Sequence, residues 1–216
     1  MPSCCGDEYD SVFTPKEATS NALRFRRRGL KGSALRIVNG ITAYSPGGLS
    51  LLEVGGGVGE IQVALIESGA IDRAVNIELS TSWEQPAREL LAERGLEGRV
   101  ERAVGDFVRL SEELPASDVV VLHRVVCCYP DWEAMLTAVT AKAARMIAMT
   151  FPVNRWWNRL GVGTGNLLGR IQGRSFRGFV HPDDVMLRFL KTSGFWVAQH
   201  ETGLVWRTVL STSGNN

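Results

Sequence analysis

Acidic residues are missing from two long stretches of this chain. Ala18 to Leu52 holds Arg24, Arg26, Arg27, Arg28, Lys31 and Arg36 with no acid, and Pro152 to Pro182 holds Arg155, Arg159, Arg170, Arg174 and Arg177, again with none. The remainder carries 13 basic and 23 acidic residues, so the formal net charge of +1 hides an uneven distribution. Two basic zones on an otherwise acidic protein can focus an anionic substrate or surface; the alternative is ordinary solvated arginine. No apolar run reaches the length of a transmembrane helix. The first residues lack the apolar core of a signal peptide, and the expected location is the cytoplasm. Cysteine is scarce: the four form two adjacent pairs, Cys4-Cys5 and Cys127-Cys128. Adjacent pairs do not match the Cys-x2-Cys spacing of a zinc site, and no metal site is assigned. If the pairs met in space they could hold a soft metal or form a redox link; otherwise Cys127 and Cys128 are small residues near a strand end. With 216 residues, 44% of them apolar, the chain is long enough for one well-buried domain.

What is present is organised around Leu51-Leu-Glu-Val-Gly-Gly-Gly-Val-Gly-Glu-Ile61. A short apolar strand ends at Val54, glycines follow at 55, 56, 57 and 59, and an amphipathic run begins at Glu60. This reads as strand, tight turn and helix, with glycine where the backbone needs positive φ or where a ligand approaches closely. The N–H groups opening the helix would face that ligand. Downstream, the apolar segment Ala74 to Ile77 ends in Glu78, 19 residues beyond Gly59. A carboxylate at the tip of a second strand can accept both hydroxyls of a ribose. A third strand, Val100 to Val104, runs into Gly105-Asp106-Phe107, where Asp106 could meet an adenine amino group with Phe107 beside the ring.

Two nucleoside cofactors compete for such a site. A dinucleotide site commonly has Gly-x-Gly-x-x-Gly with the pyrophosphate at the helix N-terminus. This chain has Gly-x-Gly-x-Gly, and Glu53 lies two residues before its first glycine. A carboxylate there would repel a pyrophosphate but could hold an ammonium group. The combination of Glu53, Gly55, Gly57, Gly59, Glu78 and Asp106 resembles the S-adenosylmethionine-dependent methyltransferases of the Rossmann-like class. The resemblance is clearest over about residues 50 to 150 and speaks to cofactor and fold rather than acceptor. It implies that Glu53 and the glycine loop, Gly56 included, surround the methionine part. Glu78 would hold the ribose, with Leu79 beside it. Gly105, Asp106 and Phe107 would frame the adenine, and His123 would stand between cofactor and acceptor. It also implies an α/β fold: a seven-stranded, mostly parallel sheet with helices on both faces, an antiparallel last strand and an N-terminal helical cap. Residues 1–48 would form tail and cap and 49–216 the catalytic domain.

The rest of the chain fits that frame. Thr14 caps a helix from Pro15 to Arg28 ended by Gly29. A second helix spans Ser33 to Tyr44 with Leu35, Val38 and Ile41 as its apolar stripe. These two helices could cover the open edge of the fold and lend Phe25 and Arg28 to an acceptor pocket. Helices follow from Glu60 to Ser68 and from Trp83 to Arg94. The β-branched run Asp118 to Leu122 reads as a central parallel strand covered on both faces. Because ligands sit beyond the carboxyl ends of such strands, His123, Arg124, Cys127, Cys128 and Tyr129 fall near the reaction centre. Asp131 caps a helix from Trp132 to Ala144, and Arg145 to Phe151 is the fifth strand. Residues 152–180 read as an insertion or lid. Gly161, Gly163, Gly165, Gly169 and Gly173 argue there against a rigid helix. Trp156 and Trp157 with the arginines could seat it at a membrane interface, grip a hydrophobic anion, or anchor it to the core. His181-Pro182 opens the next helix, and Phe195 to His200 and Leu204 to Leu210 are the closing strands.

These readings lead to methyl transfer from S-adenosylmethionine to a small-molecule acceptor, in-line on the methyl carbon and through an oxygen nucleophile. The acceptor would be anionic and hydrophobic. His123 is the first candidate base, His181 the second, and Tyr129 a wall or hydrogen-bonding group. Arg124, Cys128, Trp156 and Trp157 are candidate acceptor contacts. Methylation of RNA, or of a soft thiol or metalloid acceptor beside the paired cysteines, is an alternative. So is a non-catalytic nucleoside-binding or membrane-associated protein. DNA is disfavoured: the Asn/Asp-Pro-Pro-Tyr/Phe segment of amino-methylating DNA enzymes is replaced by His123-Arg124-Val125-Val126. Peripheral membrane contact through 152–180 and homo-oligomer formation both remain open.

Overall fold

A computed structural model describes residues 12–214; Cys4 and Cys5 lie outside the described residues. Helix α1 (Pro15–Arg28) starts in a capping box, in which Thr14 accepts from the Glu17 amide and the Glu17 carboxylate accepts from the Thr14 amide. Helix α2 (Gly32–Tyr44) follows. Then come β1 (Leu49–Val54), α3 (Glu60–Glu67), β2 (Ile71–Glu78), a 3-10 turn Thr81–Trp83, α4 (Glu84–Arg94) and β3 (Val100–Val104). The chain continues through α5 (Phe107–Leu110), β4 (Ser117–His123), α6 (Trp132–Lys142), β5 (Ala143–Pro152), α7 (Trp156–Ile171), α8 (Asp183–Thr192), β6 (Phe195–Thr202) and β7 (Trp206–Ser213).

The strands form one seven-stranded sheet in the order β3-β2-β1-β4-β5-β7-β6. The first five pair in parallel, and β7 inserts between β5 and β6 antiparallel to both. Alternation along the strands feeds two cores. Val119 and Val121 of β4 face a layer containing α1, α2, α3 and α4, whereas Val120 and Leu122 face one containing α5, α6 and α8. Burial on both faces explains why β4 reads as an uninterrupted β-branched run.

Three expectations change. Within α2 the buried stripe is Ala34, Ile37, Val38 and Ile41, while Leu35 is 41% exposed. One step of 100° per residue carries it off the stripe. Rather than covering an edge, α2 packs against α3 and strands β5 and β7, so its apolar residues belong to the central core. The third change is α7, a 16-residue helix despite four internal glycines. At Gly161, Gly163 and Gly165 an added Cβ would meet no atom within 4 Å. Glycine costs about 1 kcal/mol relative to alanine in a helix interior. Gly165→Ala should therefore raise the stability measured by urea unfolding by about that amount, and a loss would show that glycine has an unrecognised role in the isolated chain.

Candidate functional site

The strand order reverses its direction of growth between β1 and β4, and open α/β sheets bind ligands at such a point, beyond the strand carboxyl ends. Here β1 runs into the glycine loop. Gly55, Gly57 and Gly59 have φ of 62°, 56° and 83°, left-handed values that side chains disfavour. At Gly56 the requirement is space: a Cβ there would lie 2.7 Å from the Glu53 carboxyl carbon. The loop is tied to β2 by hydrogen bonds from the Gly55 amide to the Ile77 carbonyl and from the Gly57 amide to Glu78 Oε2, both 2.8 Å. Glu78 Oε1 accepts from the amides of Leu79 (2.8 Å) and Ser80 (3.3 Å). Burial raises the Glu78 pKa, and the three amide hydrogen bonds oppose that rise.

A cavity of about 330 Å³ opens here, within the range of small-molecule sites. Gly55, Gly56, Gly57, Glu78 and Leu79 line one part of it, and Gly105, Asp106 and Phe107 another. Asp106 caps α5 by accepting from the Val108 amide (3.0 Å), and the Tyr129 hydroxyl donates to it at 3.3 Å. Trp83 also lines the wall, packed where a Cβ on Gly57 would come within 3.4 Å. His123, Arg124, Cys128 and Tyr129 also line it, with Asn21 and Arg24 of α1.

His123 Nε2 lies 2.9 Å from Ser33 Oγ, and the Arg124 guanidinium donates to the same oxygen at 3.2 Å. Burial, with the Arg124 charge beside it, lowers the His123 pKa to about 4. The imidazole is thus neutral at physiological pH. Arg124 itself adopts a left-handed φ of 62° and stacks over Trp206, 4.6 Å from the ring centroid. Glu60, also on the wall, is raised by burial against the opposing pull of Arg24 and Arg124. Cys127 and Cys128 have sulfurs 3.9 Å apart. Their shared hydrogen bond lowers the Cys127 pKa and raises that of Cys128, and Cys128 is the one on the cavity wall.

Several expected site residues stand elsewhere. Glu53 is 1% exposed beneath Gly56 and is not on the wall. Burial, only partly countered by the Arg102 charge, pushes its pKa to about 8, which leaves it neutral at pH 7 rather than an anion awaiting an ammonium. Its Oε2 has no hydrogen-bond partner among the described residues. Gly59 serves as the left-handed entry to α3. Phe25 is 6% exposed in the core under the Arg94 guanidinium, and Arg28 points away from the cavity wall. The helix period puts Asn21 and Arg24 there instead. Trp156 is 71% exposed on α7, and the Trp157 indole donates to the Leu204 carbonyl at 3.1 Å. His181 Nε2 lies 3.0 Å from the carbonyls of Val126 and Tyr129, a brace for the segment after β4.

No protein-family model matches the sequence, and no curated protein matches it. Solved structures do match the fold. Magnesium protoporphyrin IX methyltransferase (ChlM) from Synechocystis PCC 6803 with bound SAH aligns with TM-score 0.68 and 17% identity over 95% of this chain and 100% of that one. An O-methyltransferase family protein from Burkholderia thailandensis gives TM-score 0.72 and 14% identity over 97% of this chain, which spans 63% of that structure. The [4+2]-cyclase SpnF gives TM-score 0.61 and 15% identity, covering 82% of this chain and 80% of that one. At these identities the likeness shows a shared fold.

Glu53 provides a test of the buried network. In the native protein it holds a proton up to about pH 8, whereas the unfolded chain releases it near 4.5. The stability it contributes is full below the unfolded value and is lost as pH rises through the folded one. Glu53→Gln, neutral throughout, should therefore gain on the wild type in urea midpoints between about pH 5 and pH 8. A difference that does not change over that range would contradict the assignment.

Proposed function

We propose that the chain is an S-adenosylmethionine-dependent methyltransferase acting on a small molecule with an acidic oxygen. The observation that carries this reading is that the glycine loop, Glu78 and Asp106-Phe107 line a single cavity together with His123, Arg24 and Arg124. The donor set fits the nucleoside: a carboxylate at the second strand tip for ribose hydroxyls, an aromatic and an acid for adenine, and a loop without side chains for close approach. When bound, S-adenosylmethionine supplies an electrophilic methyl carbon for in-line attack. The chain's own task is then to orient the acceptor and exclude water.

The electrostatics narrow the acceptor. His123 offers a lone pair down to about pH 4. As a weak base it strips only a proton that is itself acidic. Arg24 and Arg124 would pair with the resulting anion. An acidic phenol on an apolar body meets both conditions; a carboxylic acid, already ionised at neutral pH, would need the arginines but no base. A soft thiol or metalloid acceptor is less well served, because Cys128 reaches the cavity wall without Cys127.

The test is transfer of labelled methyl from S-adenosylmethionine to a panel of aromatic acids and phenols. It must read transfer itself, since the same fold carries a cyclase. With an active phenol, His123→Ala should lower kcat about a hundredfold while leaving cofactor affinity nearly unchanged. The acid limb of the wild-type kcat/KM profile should lie near pH 4. A limb at the ordinary histidine value, or full kcat in the variant, would contradict the role given to His123.

A further inference from the structure

Helix α7 is turned inside out relative to a helix on a solvated surface. Its only buried residue is Asn158, whose amide donates to the carbonyls of Val153 (2.8 Å) and Val205 (3.1 Å). Asn166, on the same side, exchanges hydrogen bonds of 2.8 Å with the Gly178 backbone. Apart from the half-buried Trp157 and Val162, the large apolar residues point the other way. Trp156, Leu160, Leu167 and Ile171 follow the helical repeat and are 71%, 62%, 59% and 74% exposed. Leu204, held beside the helix through the Trp157 indole, is 73% exposed and extends the patch. A polar inner face with an apolar outer face leaves the large side chains in water, where about 1.5–3 kcal/mol per side chain of burial is unrealised.

The charge pattern indicates what covers this face. Five arginines and no acid lie between Pro152 and Pro182. Among the described residues none of the five forms an ion pair with an acid; Arg155 stacks 5.0 Å over Trp157, and Arg159 donates to Asn154. Arg159 and Arg170 lie together along one edge of the apolar stripe on the helical repeat. A tryptophan and long aliphatic residues on one face, bordered by unpaired arginines, suit the boundary between headgroups and acyl chains. No helix among the described residues is long and apolar enough to cross a membrane.

We propose that the outer face of α7, with Leu204, docks on an anionic lipid surface and lies in its plane. Docking would place a surface next to the cavity, because the segment after α7 reaches its rim: Phe176 packs edge-on against Phe13, a cavity-lining residue, with ring centroids 5.8 Å apart. This inference stands apart from the methyl-transfer reading, since it concerns binding alone.

The test is flotation of the full chain with vesicles of phosphatidylcholine alone and of phosphatidylcholine mixed with phosphatidylserine. The wild type should float with the anionic vesicles, and high salt should release it. Leu160→Gln with Leu167→Gln should weaken binding about tenfold for each leucine, and Arg159→Gln about fivefold. Both leucines are more than half exposed, so an unchanged thermal transition should show that the variant is folded. Absence of wild-type flotation, equal flotation with neutral vesicles, or undiminished binding by a folded leucine variant would overturn the proposal. So would a wild-type dimer dissolved by the same substitutions, which would identify a second copy as the occupant.

Discussion

The site depends on the hydrogen bond from the Gly57 amide to Glu78. This 2.8 Å contact closes the loop after β1 onto the tip of β2, the next strand over in the sheet. It constrains both partners. The loop must present amides inward, which demands left-handed φ at Gly55 and Gly57, and the Glu78 carboxyl must stay buried with its oxygens held by three N–H groups. These bonds hold a loop that has no side chains to pack. Arg102 reinforces the same loop from β3, donating to the Gly57 carbonyl at 3.0 Å while pairing with Glu84.

Beneath that loop lies a layer of buried polar groups that is not fully satisfied. Glu53, Gln62 and Asn76 are each almost wholly buried; the Asn76 amide donates to the Gln62 carbonyl at 3.1 Å, and the Gln62 backbone hydrogen-bonds to Glu53. A charged Glu53 would be costly there, which is why it takes up a proton. His123 is neutral as well, and for the same reason: burial disfavours the charged form, here the cation. The cavity wall thus carries a neutral imidazole together with the cations Arg24 and Arg124. This division would let an anion bind while leaving a neutral lone pair near its oxygen.

Much of this was legible in the sequence because it rests on local rules. The glycine loop announces its own dihedrals, Glu78 sits where a strand must end, and the apolar run before His123 declares a strand buried on two faces. What escaped was set by tertiary context. Asn21 and Arg24 reach the cavity whereas Phe25 and Arg28 do not, a difference of one helical step fixed by how α1 packs on α4. Glu53 carries the residue type expected of a ligand-holding acid, yet the Gly56 backbone covers it. In α7, glycine propensity argued against a helix. The helix forms nonetheless, anchored by the side chains of Asn158 and Asn166 to neighbouring backbone. The tryptophans and arginines of that segment were visible as an unusual cluster, but their outward orientation was not.

The central claim is that Glu78 receives the ribose of an S-adenosyl nucleoside. Calorimetric titration of S-adenosylhomocysteine, with NAD in a separate run, into wild type and Glu78→Gln addresses it most directly. The account predicts saturable one-to-one binding of S-adenosylhomocysteine and a loss of about tenfold or more in the folded variant, as expected when a buried hydrogen-bond acceptor oxygen is replaced by a donor. Binding of NAD in its place, or full affinity in Glu78→Gln, would contradict it.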